Sequence, residues 1–304
     1  MQNCAIFSAY YYLDNQQLTY KGIPKFIDKT NMSISPLPFS DFDKLSIILN
    51  NINTRMIDLQ SLSLQAAVSQ ASKDEFYNTI DKSDISVVAG SFSAALYPIC
   101  EFILSAKEKG VNFVNATQFT NTVGNAAASR LCIWNQFKNR VSSICNGINS
   151  GLDAIISTCD DINYKNSSIT FACATEEIGA AAFLIAKDNI LQDKAKPLAY
   201  IKNYESKYVG TENIGTYLQN LANHFNLDLA KTDFYLSGSS DLLNDTFKNK
   251  NCNIKIGINK EALSLTPMIN IGNALFEYEN NNKNDCIIIS VNNIGFVSVI
   301  QLVR

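Results

Sequence analysis

Hydrophobic and polar residues along the chain follow two periods, one typical of buried strands and the other typical of helices. Short continuous apolar runs, such as DISVVAGS at 84–91 and SSITFACAT at 167–175, predict strands that are buried on both faces. The segment SAALYPICEFILSAKEKG at 93–110 predicts a helix, because it closes with lysines and a glycine. Strands that alternate with helices in this way indicate an α/β fold.

The same pattern extends over the rest of the chain. Strands are predicted over 1–17, 140–146, 180–188, 195–205, 233–238 and, as a terminal hairpin, 285–303. Helices are predicted over 54–72, 126–137, 150–159, 215–227 and 267–279. The Asn- and Thr-rich segment at 112–125 is predicted to be extended. No long linker interrupts these elements, so we expect one compact body.

Composition narrows the class of protein. A net charge of −3 and a pI of about 5.3 over 304 residues argue against a non-specific nucleic-acid binder, which needs a basic face. The apolar runs are too short to span a membrane, and the absence of Lys or Arg before Lys21 predicts no signal peptide. The eight cysteines form no C-x-x-C pair, so we interpret them as small buried hydrophobes in a reducing cytoplasm; they are Cys4, Cys100, Cys132, Cys145, Cys159, Cys173, Cys252 and Cys286.

One bend resembles a site of covalent chemistry. The stretch VSSICNGINSGLDAI at 141–155 runs from a strand through a Gly/Asn/Ser turn into a helix. Such a turn can hold a nucleophile at a helix N-terminus, where the dipole and free N–H groups favour a thiolate or an oxyanion. The residue at the bend is Ile148, and Cys145 comes three residues earlier.

The chain has a single histidine, His224. It lies in a segment where Leu218, Leu221 and Phe225 recur at helical spacing. We interpret His224 as a polar residue on an amphipathic helix.

Several segments, taken in order, resemble a β-ketoacyl synthase of the thiolase-fold superfamily. They are RMIDLQSLSLQAA (55–67), DISVVAGSFSAAL (84–96), FTNTVGNAAASRLCI (119–133), NSGLDAI (149–155), ATEEIGAAAFLI (174–185), LSGSSDLLND (236–245) and NNIGFVSVIQLV (292–303). The resemblance implies a five-layer α-β-α-β-α fold, with one half over 1–165 and the other over 166–304. It also implies a compact version, because the long insertion that the family carries between ATEE and IGAAAFLI is missing.

The resemblance also places the family's catalytic positions. An ungapped alignment from Asn125 puts the nucleophilic cysteine at Ile148, and Cys145 is expected to point into the sheet. The family's two histidines align with Ser237 and, more loosely, with Met268. With one histidine in the chain, no shift of the alignment restores a Cys-His-His set. Since each of these groups normally contributes about 10²-fold or more in rate, the resemblance implies no condensing activity and no catalytic residue.

A ketosynthase-like chain without its chemistry resembles the chain-length factors of type II polyketide systems and the cysteine-free partners of aryl-polyene-type clusters. This implies a heterodimer with an active ketosynthase, a role for acyl carrier protein and no cofactor or metal. The residues expected at the partner's acyl pocket are Phe119, Thr120, Asn121, Thr122, Val123 and Asn125. An alternative is that these Asn and Thr side chains only cap the following helix.

Two further functions stay open at this point. One is an acyltransferase or thioesterase that uses Cys145 or Cys173 as nucleophile, with Ser237 or Glu176 nearby. The other is a stand-alone protein that binds an acyl carrier or acyl chain.

Overall fold

The computed structural model describes residues 4–13, 57–164, 167–191, 193–228, 231–238, 253–256, 262–281 and 285–304. Within these ranges the strands are β1 (Cys4–Leu13), β2 (Ile85–Gly90), β3 (Val141–Ile144), β4 (Ile169–Glu176), β5 (Gly179–Lys187), β6 (Ala199–Tyr208), β7 (Asp233–Gly238), β8 (Asn253–Ile256), β9 (Asp285–Val291) and β10 (Phe296–Val303). The helices are α1 (Leu59–Ala71), α2 (Leu96–Lys109), α3 (Ala116–Phe119), α4 (Ala126–Asn135), α5 (Ser150–Tyr164), α6 (Asp188–Leu191), α7 (Ile214–His224) and α8 (Leu265–Asn281). The predicted α/β alternation is confirmed.

The described strands form one ten-stranded sheet in the order β3-β2-β4-β5-β1-β6-β10-β9-β7-β8. We call β3, β2, β4, β5 and β1 the first half-sheet, and β6, β10, β9, β7 and β8 the second half-sheet. In each half the three outer strands are parallel to one another, and the next two strands toward the centre are added by antiparallel pairing. The order therefore reads the same from both ends, with β1 and β6 paired antiparallel at the centre.

Alternate side chains of both half-sheets contact a shared central layer. Ala172 of β4 and Ile288 of β9 belong to one apolar cluster with the inner faces of α5 and α8, which lie between the half-sheets. Their neighbours Phe171 and Ile287 point away from this layer. Strands such as β4 and β9 are thus covered on two faces, which explains why their segments read as nearly continuous apolar runs.

Two outer helical layers complete the architecture. The outer face of the first half-sheet packs on α1 and α4, whereas the outer face of the second half-sheet packs on α7. The layers follow the order helix, sheet, helix, sheet, helix, as expected from the resemblance. The family's long insertion would fall between β4 and β5. Here these strands are joined by the two residues Glu177 and Ile178.

The segment at 112–125, which was predicted to be extended, forms turns and short helices. A 3₁₀ turn at Val111–Phe113 is followed by α3, whose N-terminus is capped by the Asn115 side chain with 2.9 Å to the Thr117 amide. Asn and Thr side chains can bond to nearby backbone groups, and here that local bonding overrides the β-propensity of Phe, Val and Thr. The extended prediction was wrong.

The division of the chain at 165/166 stays a prediction. Strand pairing places β4 and β5 beside β2 and β1, so a division drawn from pairing alone would fall after Lys187. Some sequence predictions lie outside the described residues. They concern Arg55, Met56, Cys252 and the part of LSGSSDLLND that follows Gly238. In the parts of the chain that the structure covers, no helix has both the length and the apolar character needed to cross a membrane.

Candidate functional site

The bend at 145–150 connects β3 to α5 through a 3₁₀ turn at Gly147–Asn149. Gly147 has a φ of 58°, in the left-handed region that glycine adopts without steric cost. The Ser150 hydroxyl donates to the Gly147 carbonyl at 2.8 Å and accepts from the Asn146 amide at 2.7 Å, so it stabilises the turn from the helix side. Ile148 is half-buried in this turn, one residue after Gly147.

A buried polar network lies directly below the turn. The Asp153 carboxylate of α5 accepts from Ser298 at 2.6 Å, from Ser206 at 2.9 Å and from the Asn146 amide group at 2.7 Å. Asn149 donates to Ser298 at 3.1 Å. These bonds join the N-terminus of α5 to β6 and β10, and they hold the turn in place.

Ser237 and Met268, the positions aligned with the family's histidines, lie on elements that meet this turn. Ser237 is buried at the end of β7, where its hydroxyl donates to the Ile289 carbonyl at 2.9 Å. Its strand neighbour Ser290 contacts the Ile148 carbonyl at 3.5 Å. Met268 is buried in α8, and a Cβ added to Gly151 would lie 3.0 Å from its Cγ. The fold therefore brings these elements together at the N-terminus of α5.

Sequence reasoning missed most of the network below the turn. Ser290 and Ser298 lie between apolar residues in β9 and β10, and both are fully buried. A serine in the middle of a buried strand has to find a hydrogen-bond partner, and this is the signal that could have identified them.

Glu176, at the end of β4, connects three parts of the molecule. Its carboxylate accepts a hydrogen bond from the Ser264 hydroxyl, just before α8, and one of 2.6 Å from the Phe92 amide, just after β2. The side chain is only 2% exposed. Burial raises the pKa of Glu176 to about 7, although the bonds from Ser264 and Phe92 act in the opposite direction.

Cys173 is not placed to work with Glu176. The thiol is fully buried on the outer face of β4, in the cluster under α1, and burial raises its pKa well above the usual range. Glu176 bonds to Ser264 on the central face. Because side chains alternate along a strand, the thiol and the carboxylate point to opposite faces of the sheet.

Cys145 is exposed, contrary to the prediction that it points into the sheet. The strand ends at Ile144, one residue earlier than that prediction requires. The thiol lies 3.5 Å from the Phe92 carbonyl oxygen. Of the other described cysteines, Cys100 is also exposed and Cys132 is half-buried, while Cys4, Cys159, Cys173 and Cys286 are buried as predicted.

A cavity of about 290 Å³ lies beside Cys145, between the ends of β2 and β3 and the start of α4. Its walls are small and mainly apolar, with alanines at 89, 94, 95 and 126–128. Asn121, Val123 and Asn125, three of the residues predicted at the partner interface, line it. We call it the alanine cavity.

The remaining interface candidates lie in the turns just before Val123. Thr120 and Thr122 donate through their hydroxyls to the carbonyls of Thr117 and Phe119, both at 2.8 Å, so local bonding accounts for part of their role. Phe119 is exposed. Asn125 stands at the N-cap of α4 but makes no side-chain bond there, so the capping alternative fails at this position.

Exposed apolar side chains are concentrated in one stretch of the chain. None of the residues of α2, all of which are described, is buried. We call the surface formed by residues 92–123 the 92–123 face. Its large exposed apolar side chains are Phe92, Leu96, Tyr97, Ile103, Leu104, Val111, Phe113, Phe119 and Val123. Beside it, β3 pairs with β2 alone among the described strands, which leaves an open sheet edge. Apolar patches of this kind mark interaction surfaces.

His224 lies far from the turn in the layered order, at the end of the outer helix α7. Its side chain is 62% exposed, and Nε2 is 3.4 Å from Glu205 Oε2. The prediction of a polar residue on an amphipathic helix is confirmed.

The fold is thiolase-like and is similar to that of solved ketosynthase structures. One similar chain is from AntDE:AntF (apo), a type II PKS acyl-carrier protein in complex with its ketosynthase bound to the hexaketide; it has a TM-score of 0.79 and 17% identity, with 100% of both chains covered. The ishigamide ketosynthase/chain length factor has a TM-score of 0.75 and 12% identity, with 99% of both chains covered. A beta-ketoacyl synthase from Burkholderia phymatum STM815 has a TM-score of 0.70 and 11% identity over 100% of both chains.

At these identities the likeness extends to the fold alone. No family model matches the chain, and no curated protein matches it.

Proposed function

We propose that this chain is a non-catalytic partner of an active ketosynthase, of the chain-length-factor type, in a type II polyketide or fatty-acid-like system. One observation supports the proposal: Ile148, which the resemblance aligns with the family's nucleophile, lies in the turn at the N-terminus of α5. An alkyl side chain at this position cannot act as a nucleophile.

Among the described residues, the groups that the resemblance aligns with the family's histidines also lack the chemistry of condensation. A Claisen condensation needs a thiolate and donors placed at the developing enolate and oxyanion. The Ser237 hydroxyl is already donated to a backbone carbonyl, and a Met268 thioether has no proton to donate. The chain's histidine is on the outer helix α7. We infer that condensation is carried out by a second protein.

The 92–123 face supports the partnership. An exposed helix with no buried residue, next to an open strand edge, favours an obligate partner over a stand-alone binder. We propose an interface that buries more than roughly 2,000 Å², as obligate dimers do. Phe119, Thr120, Asn121, Thr122, Val123 and Asn125 would lie at its centre.

The fold neighbours support the choice of partner. The AntDE:AntF structure contains an acyl-carrier protein with its ketosynthase, and the ishigamide structure is a ketosynthase/chain length factor. By analogy, we propose an active ketosynthase as the dimer partner, acyl carrier protein as the source of the acyl chain, and the cytoplasm as the location.

The proposal is tested by co-expression with a ketosynthase encoded beside it that carries an intact Cys-His-His set. We expect the two chains to co-purify in equal amounts, and condensation to require the partner's cysteine. Replacing that cysteine with alanine should abolish product while the complex survives. Condensation by the present chain alone, or failure to bind such a partner, would contradict the proposal.

One observation favours a second function, acyl transfer through Cys145. This thiol is exposed and lines the alanine cavity, which could accept an acyl chain. Among the described residues that line the cavity there is no histidine or lysine to activate the thiol. We therefore place acyl transfer second.

A further inference from the structure

A second cavity adjoins the alanine cavity and differs from it in charge. It has a volume of about 270 Å³ and lies between the start of α1, the start of α2 and the turns before Val123. Its walls include three carboxylates, those of Asp58, Glu101 and Glu177. Burial and, after it, the nearby carboxylates of Glu101 and Asp58 raise the pKa of Glu177. We call it the acidic cavity.

Four residues line both cavities and therefore lie between them. They are Asp58, Gln60, Pro98 and Asn121. The apolar walls of the alanine cavity suit an acyl chain. The carboxylates of the acidic cavity are more stable in contact with water than against an acyl chain. The four residues therefore separate an apolar space from a charged one.

Two of the four are held by one side chain, that of Arg130 on α4. Its Nη2 donates to Asn121 Oδ1 at 2.5 Å and to Thr120 Oγ1 at 2.9 Å. Its Nη1 donates to the Asp58 carboxylate and to Ser61 Oγ, the latter at 3.1 Å. The Arg130 and Asp58 side chains are only 14% and 11% exposed, so this ion pair is shielded from solvent.

Asp58 is itself fixed independently of Arg130. Its carboxylate caps α1, accepting from the Ser61 amide at 2.8 Å and from the Ser61 hydroxyl at 2.7 Å. Arg130 therefore ties the turn at 120–121 to the rigid N-terminus of α1. The planar guanidinium can reach both partners at once, which a lysine ammonium cannot do with the same geometry.

We propose that Arg130 is a positioning residue that maintains a polar partition between the two cavities and thereby sets the depth of the space offered to the partner's acyl chain. The effect on product length rests on the proposed function. The placement of Asn121 by Arg130 does not depend on the proposed function.

The structural part is tested on the isolated protein by amide hydrogen exchange. The amides of Thr120, Asn121 and Thr122 are held by turn hydrogen bonds to carbonyls three residues earlier. We expect Arg130→Met, and to a smaller degree Arg130→Lys, to raise their exchange rates by about tenfold. Arg140→Lys is the matched control, because it weakens an ion pair to the buried carboxylate of Asp161, and Arg140 lines neither cavity. Unchanged exchange at 120–122 in both Arg130 variants would overturn the positioning role.

The consequence is tested in the reconstituted complex with ketosynthase and carrier protein. Asn121→Ala removes the partition side chain and should shift products to longer chains by at least one extension unit, and Arg130→Met should do the same. Arg140→Lys should leave product length unchanged. An unchanged product length for Asn121→Ala, with the complex intact, would overturn the partition. Absence of any complex for the wild-type chain would instead overturn the proposed function, and the exchange data would still decide the role of Arg130.

Discussion

Gly151 of α5 lies against the backbone of Ser264, so closely that a Cβ added at position 151 would be 2.1 Å from the Ser264 carbonyl oxygen. Ser264 directly precedes α8, and α5 and α8 are the two helices of the central layer. Their contact at this point places Met268 over the N-terminal turn of α5. The absence of a side chain at Gly151 is thus a condition for the approach of the two central helices.

Replacing Gly151 with alanine is therefore expected to destabilise the protein strongly. The obstacle is backbone, which cannot rotate away, so we expect a loss of about 3 kcal/mol in the free energy of unfolding. Urea denaturation measures it. Gly124→Ala is the matched control, because a Cβ there meets only Ala94 at 3.6 Å, an ordinary contact. Equal stability of the two variants would contradict the close approach.

Glu176 should make stability depend on pH. Its pKa in the folded protein, about 7, is above the ordinary glutamate value of 4.5, so between these values the folded state binds more protons than the unfolded state. Stability contributed by the neutral carboxyl is therefore present at low pH and declines as pH rises through 7. Glu176→Gln removes the titration, and relative to wild type it should gain stability from pH 5 to pH 8, by roughly 3 kcal/mol at most.

The measurement is urea unfolding of wild type and Glu176→Gln at pH 5, 6, 7 and 8. Glu75→Gln, at an exposed side chain, is the control for replacing a glutamate with glutamine. A stability difference between Glu176→Gln and wild type that does not change with pH would mean that the buried carboxyl is ionised throughout.

Product length should respond to the size of side chains at positions 119 and 123. Val123 lines the alanine cavity, so Val123→Trp fills it and should shorten the partner's products without preventing the first acylation. Phe119→Ala should lengthen them. Mass spectrometry of products from the reconstituted complex gives the answer. If both variants form the complex and give unchanged lengths, this chain has only a stabilising role.

The 92–123 face should be required for the complex but not for the fold. Ile103 is 59% exposed on α2, so Ile103→Lys should change the unfolding free energy by only about 0.5 kcal/mol. We expect the dissociation constant for the ketosynthase to rise at least about tenfold, or ~1.4 kcal/mol. Ile190 on α6, 39% exposed and outside this face, is the control. Binding unaffected by Ile103→Lys would place the interface elsewhere.

Cys145 should take up no acyl group. Incubation of the isolated chain with an acyl-carrier thioester, followed by intact-mass spectrometry, is expected to show no adduct. Ile148→Cys is a useful comparison, because it restores a thiol at the helix N-terminus where a thiolate is favoured. A stoichiometric adduct on Cys145 in the wild-type chain would favour the acyltransferase function.

Much of the fold could be predicted from sequence because its signals are local. Continuous apolar runs identified β2, β4 and β5, and the lysines and glycine at 107–110 marked the end of α2. The five layers came from the resemblance. The sequence of a single chain contains no direct record of which strands pair, so the mirrored strand order had to come from the structure.

The candidate site was predictable only in part, for a related reason. Ile148 could be placed because the bend is a contiguous motif. The predicted orientation of the Cys145 side chain was wrong. The strand ends one residue before Cys145, and one residue of strand length decides which way a side chain points. The link from Arg130 to Asp58 joins residues 72 positions apart, and no local pattern marks it.

The exposed helix α2 has a consequence for the life of the protein in a cell. A chain made in excess of its partner would present the 92–123 face to chaperones and proteases, which act on exposed apolar surface. Binding of the proposed partner buries that surface and stabilises the folded chain by mass action. We expect the abundance of this protein to follow the supply of the proposed ketosynthase partner, so that copies without a partner are degraded and the two proteins accumulate together.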